Sequence, residues 1–180
     1  MRYLMLTVLA VFLSACAKPV TSLSADEDKQ LTNESGYLLI GVSTNRNIKS
    51  ISISGPKNIF LTHKDLKAGT KYILTDLPSG TYTIDKIRYN NFWTDETIDD
   101  DAWSFDIQDQ KVSYVGNLNI YSEGFYWFTS SHVELINSAS EALVFMEEYY
   151  PNILSKRELI YGGFGEDDFF QYIGKYNEAK

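Results

Sequence analysis

Residues Lys71–Tyr89 read KYILTDLPSGTYTIDKIRY, and how that stretch is parsed decides the fold. Tyr72-Ile73-Leu74 is a short run of strand-forming residues. Leu77-Pro78-Ser79-Gly80 follows as a turn, because Pro presets φ and Gly supplies a dihedral closed to other residues. Thr81-Tyr82-Thr83-Ile84 leaves the turn as a second strand. The apolar phase then slips between Ile84 and Ile87, which predicts a β-bulge.

Short strands with turn signals between them extend outward in both directions. Tyr37–Thr44 (YLLIGVST) is a strand bounded by Gly36 and the polar Asn45-Arg46-Asn47 turn. Ile51 and Ile53 alternate with Ser50, Ser52 and Ser54, and this half-buried strand is expected to form a hairpin with 37–44. Trp103, Phe105 and Ile107 alternate with Ser104 and Asp106. Val112, Tyr114, Gly116, Leu118 and Ile120 keep period two, with Ser113, Asn117 and Asn119 on the opposite face, and Phe125-Tyr126-Trp127-Phe128 returns after a turn at Ser122-Glu123-Gly124. Aromatic residues make up 14% of the chain, including 13 Tyr and 10 Phe, which also favours β structure.

The period changes after Asn137. Ser138 and Glu141 have the spacing of a capping box, and Ala139, Ala142, Leu143, Met146, Tyr149 and Tyr150 share one helical face that ends at Pro151. Glu158–Tyr161 is a further strand candidate. Phe169, Phe170, Ile173 and Tyr176 have near-helical spacing, interrupted by Gly174.

The segment Asp76-Leu77-Pro78-Ser79-Gly80-Thr81-Tyr82-Thr83-Ile84 resembles the turn and strand of transthyretin-like and carboxypeptidase regulatory-like β-sandwich modules. The resemblance covers about fifteen residues and implies a fold without implying any chemistry. The expectation is a mainly β protein: an antiparallel transthyretin-like sandwich of about seven strands over residues 36–135. A C-terminal amphipathic helix and appendage, residues 136–180, would pack on it.

The N-terminus carries the one specific chemical motif. Arg2 is followed by an uncharged run of ten residues, Leu4–Leu13, then Ser14-Ala15-Cys16. A helix of that length is about 15 Å long, too short to cross a hydrocarbon core of about 30 Å and suited to a signal-peptide h-region. Leu13-Ser14-Ala15-Cys16 resembles a bacterial lipobox. The resemblance implies that residues 1–15 are removed and that Cys16 is lipidated, becoming the membrane anchor and the mature first residue. Ala17 rather than Asp after the cysteine implies the outer membrane, with the body facing the periplasm and the cell surface as the alternative. Cys16 is the only cysteine, so no disulfide, Cys nucleophile or Cys-ligated metal site is available. Residues 16–35, rich in Ser, Thr and charge, read as a flexible tether, with a short helix over 25–31 as the alternative.

Chemistry in the body is sparse. Ser131 and His132 are neighbours in a strand and point to opposite faces, which disfavours a Ser-His pair. No HExxH pattern or nucleophile elbow occurs. Asp95, Glu96, Asp99, Asp100, Asp101 and Asp106 place six acidic groups within twelve residues, read first as a solvated loop. Asp95, Asp99 and Asp101 are the candidate calcium ligands within it, although EF-hand spacing is absent. Trp93, Trp103, Tyr126 and Trp127 stand out as a candidate ligand or partner surface within a stretch that also holds Phe92, Tyr121, Phe125 and Phe128. No cofactor is expected. The net charge of −8, or −9 once residues 1–15 are removed, argues against nucleic acid as a partner. The expected function is a lipid-anchored, non-enzymatic binding or structural module whose partner is an envelope protein or glycan. The alternatives are a carboxylate-dependent enzyme acting on glycans and a calcium-dependent adhesion module.

Overall fold

The computed structural model describes residues 17–96, 101–125 and 128–178. Residues 1–15, Cys16, Asp99, Tyr126 and Trp127 lie outside the described residues. Eleven strands are present among those described: β1 (Lys18–Val20), β2 (Ser35–Thr44), β3 (Ser50–Ser54), β4 (Ile59–Thr62), β5 (Gly69–Pro78), β6 (Gly80–Arg88), β7 (Thr94–Glu96), β8 (Ser104–Ile107), β9 (Val112–Phe125), β10 (Phe128–Ile136) and β11 (Leu159–Tyr161). A 3-10 turn covers Asp101–Trp103, and the helices are α1 (Ala139–Tyr149), α2 (Pro151–Leu154) and α3 (Phe169–Glu178).

The strands form two sheets, so the chain is mainly β and sandwich-like. One sheet has the order β1-β4-β3-β6-β7, with β8 also on β6; the other has β10-β9-β2-β5, with β11 also on β9. Several of the additional strands are only three or four residues long and gave no periodic signal. Parallel pairs (β2 with β9, β1 with β4, β11 with β9) interrupt the expected antiparallel pattern.

β2 and β3 do not form the expected hairpin. β2 pairs with β5 and β9, while β3 pairs with β4 and β6 in the other sheet. The reason lies in β2. Leu38, Ile40 and Val42 enter the core between the sheets, while Tyr37 and Leu39 enter a second core on the opposite face. A strand apolar on both faces needs cover on both and becomes a central strand. The second core is closed by Ala139, Ala142 and Met146 of α1, Ile153 of α2 and Phe170 of α3. The protein therefore has three layers: sheet, sheet, helices.

The corner at 77–82 carries the chain between sheets. β5 ends at Pro78 in one sheet and β6 begins at Gly80 in the other. Gly80 has φ 128°, and a Cβ there would lie 2.7 Å from Pro56 Cγ. The buried Tyr82 donates its hydroxyl proton to the Pro78 carbonyl at 2.9 Å, a tyrosine-corner arrangement that locks the turn. The bulge expected between Ile84 and Ile87 is present: Ser52 pairs with Lys86 and Ile53 with Ile84, leaving Asp85 as the extra residue. A second bulge was not expected. At Gly116 (φ 117°) the β2–β9 register shifts, so Val112 and Tyr114 face the helices whereas Val115, Leu118 and Ile120 face the other sheet.

The helical ends also differ from the capping-box reading. Ser138 is the N-cap of α1 but makes no side-chain cap bond; Asn137 Oδ1 accepts from Ala139 N at 3.0 Å instead. Glu141 is turned toward Tyr72 and Asn117. Pro151 ends α1 and opens α2.

Residues 17–35 are a strap, not a free tether. Lys18 N donates to Asn58 O at 3.0 Å, and β1 runs parallel to β4. Leu23 N donates to Leu74 O at 2.8 Å, and Leu74 N to Ser22 Oγ at 3.1 Å, so the strap covers the free edge of β5. Asp26 then accepts from the backbone N–H groups of Asn152 and Ile153 at the start of α2. Asp28 makes a two-pronged ion pair with Arg157, both distances 3.0 Å, with side chains only 10% and 15% exposed. Leu23 and Leu31 pack on the second core. Composition missed this because the contacts come from a few isolated residues with no period.

Replacing Gly80 by Ala is expected to lower the unfolding free energy by about 1–3 kcal/mol. The measurement is a urea titration with a reduced midpoint and unchanged slope; an unchanged midpoint would show that the corner has no need of glycine.

Candidate functional site

The helices cover only part of the second sheet's outer face. Where they stop, the outward residues turn polar: Gly41 and Ser43 on β2, Asn117, Asn119 and Tyr121 on β9, His132 and Glu134 on β10, and Thr70 on β5. Apart from the Tyr121 ring and Ile136 little apolar surface remains there, so a fourth covering element would gain little. The result is an open groove of about 330 Å³ lined by Ser43, Thr44, Asn45, Asn119, Ile120, Tyr121, His132 and Glu134.

A buried polar seam separates the groove from α1. Tyr114 donates its hydroxyl proton to Asn117 Oδ1 at 3.0 Å, and Asn117 Nδ2 donates to Tyr72 Oη at 3.1 Å. Ser138 N donates to Tyr114 Oη at 3.0 Å. Gly41 is required beside this seam, since a Cβ there would collide with the Asn117 amide. Burial raises the Tyr114 and Tyr72 phenols above their ordinary value.

Within the groove, Asn119 Nδ2 donates to Glu134 Oε1 at 3.4 Å, and His132 Nε2 lies 3.7 Å from Glu134 Oε2. Ser43 Oγ and Thr70 Oγ1 are 3.0 Å apart. Tyr121 is 53% exposed and donates its hydroxyl to Glu123 Oε1 at 2.6 Å, which raises its pKa. Beyond Ile120 the β9–β10 hairpin overhangs the end of β2. It is held there by Asn45, which exchanges two bonds with the Ser122 backbone, and by Arg46 Nη1 donating to Gly124 O at 2.8 Å. The groove thus combines an aromatic ring, amides, hydroxyls, an imidazole and one carboxylate on a flat sheet. That set can hydrogen-bond and stack, and among the described residues no hydrogen bond joins a groove hydroxyl to His132.

The residues expected from sequence fall elsewhere. Trp93 and Trp103 are half-buried against the inter-sheet core. Tyr126 and Trp127 lie outside the described residues. Asp95 accepts from Tyr89 Oη at 2.9 Å and from the Ser131 hydroxyl, tying β7 of one sheet to β10 of the other. Both bonds fall on Asp95 Oδ2, which is thereby engaged in closing the sandwich edge. Asp101 is exposed in the 3-10 turn, and Asp99 lies outside the described residues. No cluster of three or more His, Cys, Asp or Glu suited to a metal ion occurs among the described residues. Ser131 and His132 do point to opposite faces. The groove residues Ser43, Asn119 and Glu134 were missed, because polar alternation on a strand is also what a plain solvated face looks like.

Phenols shielded from water set an alkaline limit on the fold, among them the buried Tyr82, Tyr114 and Tyr89 and the half-buried Tyr72. Burial pushes Tyr82 to about 12 and raises Tyr114 and Tyr72. The unfolded chain releases these protons at pH about 10. Stability is therefore fully present below pH 10 and falls as pH rises through the folded-state value. Phenolate absorbance should show exposed tyrosines titrating first and the buried set rising later, together with loss of near-ultraviolet dichroism. A single phase centred on pH 10 would contradict the burial. Comparison with family models, curated proteins and solved structures finds no match for this chain.

Proposed function

We propose that this chain is a lipid-anchored envelope protein whose sandwich acts as a non-enzymatic binding module for a hydroxyl-rich ligand, a glycan of the cell envelope. The observation that carries the binding reading is the uncovered polar end of the second sheet. Tyr121 offers a flat ring there, and Asn119, His132, Glu134 and Ser43 offer donors and acceptors around it. Sugars present apolar C–H faces and a ring of hydroxyls, and this is the complementary surface. Hydrolysis of a glycan needs two carboxyl groups about 5–9.5 Å apart. The groove lining itself holds one, Glu134, and the two neighbouring carboxylates are engaged by partners of their own: Glu123 accepts from the Tyr121 hydroxyl, and Glu141 from Tyr72 and Asn117 beside α1. Binding is therefore favoured over glycan cleavage.

The address rests on Leu13-Ser14-Ala15-Cys16, which supports lipidation of Cys16 and, with Ala17 following, the outer membrane facing the periplasm. Each buried methylene of an acyl chain contributes about 0.8 kcal/mol, so two or more chains hold the protein stably. The Leu77–Tyr82 corner supports relating the sandwich to transthyretin-like modules.

Two measurements test these readings separately. Calorimetric titration with peptidoglycan fragments and envelope oligosaccharides should detect binding that Tyr121→Ala weakens about tenfold, equivalent to about 1.4 kcal/mol, with the unfolding midpoint unchanged. Equal affinity for the variant would remove the groove from the reading. Cys16→Ser should abolish incorporation of labelled fatty acid and move the protein from the detergent phase to the aqueous phase. A variant that stays in the detergent phase would overturn lipidation.

A further inference from the structure

We infer that the end of the sandwich where β1 begins sits directly on the lipid surface, so that the groove is held at a fixed height above it. The inference rests on lipidation of Cys16. Only Ala17 separates that residue from β1. Two residues span at most about 7 Å, so the acylated cysteine lies within that reach of Lys18. Lys18 is fixed, because its N–H bonds Asn58 O and its strand lies in register with Ile59–Leu61. The strap continues through Leu23, Asp26 and Asp28, each bonded to the body. The chain between membrane and body therefore has no slack.

The polarity of β1 decides which end faces the bilayer. Lys18 pairs beside Ile59 at the start of β4 and Val20 beside Leu61, so the chain enters β1 from the side of the Gly55–Asn58 loop. The Pro78–Gly80 corner belongs to the same end, since Ser54 pairs with Thr83 and Gly80 lies three residues further out. At the opposite end are the groove and the β9–β10 overhang. Val112 pairs beside Tyr37 near the start of β2, and Glu123 lies eleven residues further along β9. That is about 36 Å at 3.3 Å per residue. The occupant of the Lys18–Asn58 end is thus the headgroup layer of the membrane that holds the Cys16 acyl chains. The groove addresses whatever lies about 30 Å away from it.

The test uses the full lipidated protein on vesicles of phosphatidylethanolamine and phosphatidylglycerol that carry a rhodamine headgroup lipid. Cys16 is blocked by its lipid, so a donor dye reports from a cysteine introduced at Lys57→Cys or at the exposed Ser130→Cys. Energy transfer to the headgroup acceptor is expected to be several-fold stronger from position 57 than from position 130. Ten Gly-Ser residues inserted between Ala17 and Lys18 should erase that difference while leaving the protein vesicle-bound. Equal transfer from both positions in the unmodified linker, with the protein bound, would overturn the fixed seat and leave lipidation standing. Protein that fails to sediment with the vesicles would overturn lipidation itself, and the seat with it.

Discussion

One strand apolar on both faces governs the architecture. Tyr37 through Val42 are all buried apart from the missing side chain at Gly41, with side chains alternating between two cores. Each such large side chain contributes about 1.5–3 kcal/mol when fully buried, so neither face can be left in water. The first sheet covers one face. The helices and the strap cover the other, and they extend only as far as the apolar side chains do. Beyond Leu39 on β2 and Tyr114 on β9 the outward positions become Gly41, Ser43, Asn117, Asn119 and Tyr121, and the cover ends. The groove is the place where the demand for burial stops.

The same logic explains why the seam beneath the groove is polar yet closed. Asn117, Tyr114 and Tyr72 bond one another where α1 meets open sheet, and Gly41 gives the Asn117 amide the space to lie flat. A buried amide without partners costs about 1–3 kcal/mol, which makes a complete network the stable arrangement at such a boundary. The Asp28–Arg157 pair obeys the same rule at the other end, with Gln110 and the Lys29 carbonyl satisfying further guanidinium donors.

Local patterns were legible in the sequence; partner choice was not. The Leu77–Tyr82 corner, the slip at Asp85, α1 and β11 all announce themselves through residue type and period. Which sheet a strand joins depends on burial of both faces, whereas sequence alone points to β2 with β3, since sequence neighbours are the default partners. In the sequence Gly116 falls on the beat of a regular alternation, yet the bulge at its positive φ reverses every position after it. The strap escaped notice because Asp26, Asp28 and Leu23 act singly, through residues more than fifty positions away. The groove was hidden for a different reason: Ser43, Asn119 and Glu134 gain meaning only when three strands lie side by side.

The strap also imposes an order on folding. Asp28 waits for Arg157, Asp26 for Asn152 and Ile153, and Tyr150 donates its hydroxyl back to the Leu23 carbonyl at 2.6 Å. Contacts separated by nearly the whole chain form late, because loop closure must precede them. During synthesis the segment made first is therefore settled last. Until residue 157 has emerged, the strap over the edge of β5 is held only by its bonds to β4 and to Leu74, and that edge is closed less firmly against pairing with another chain.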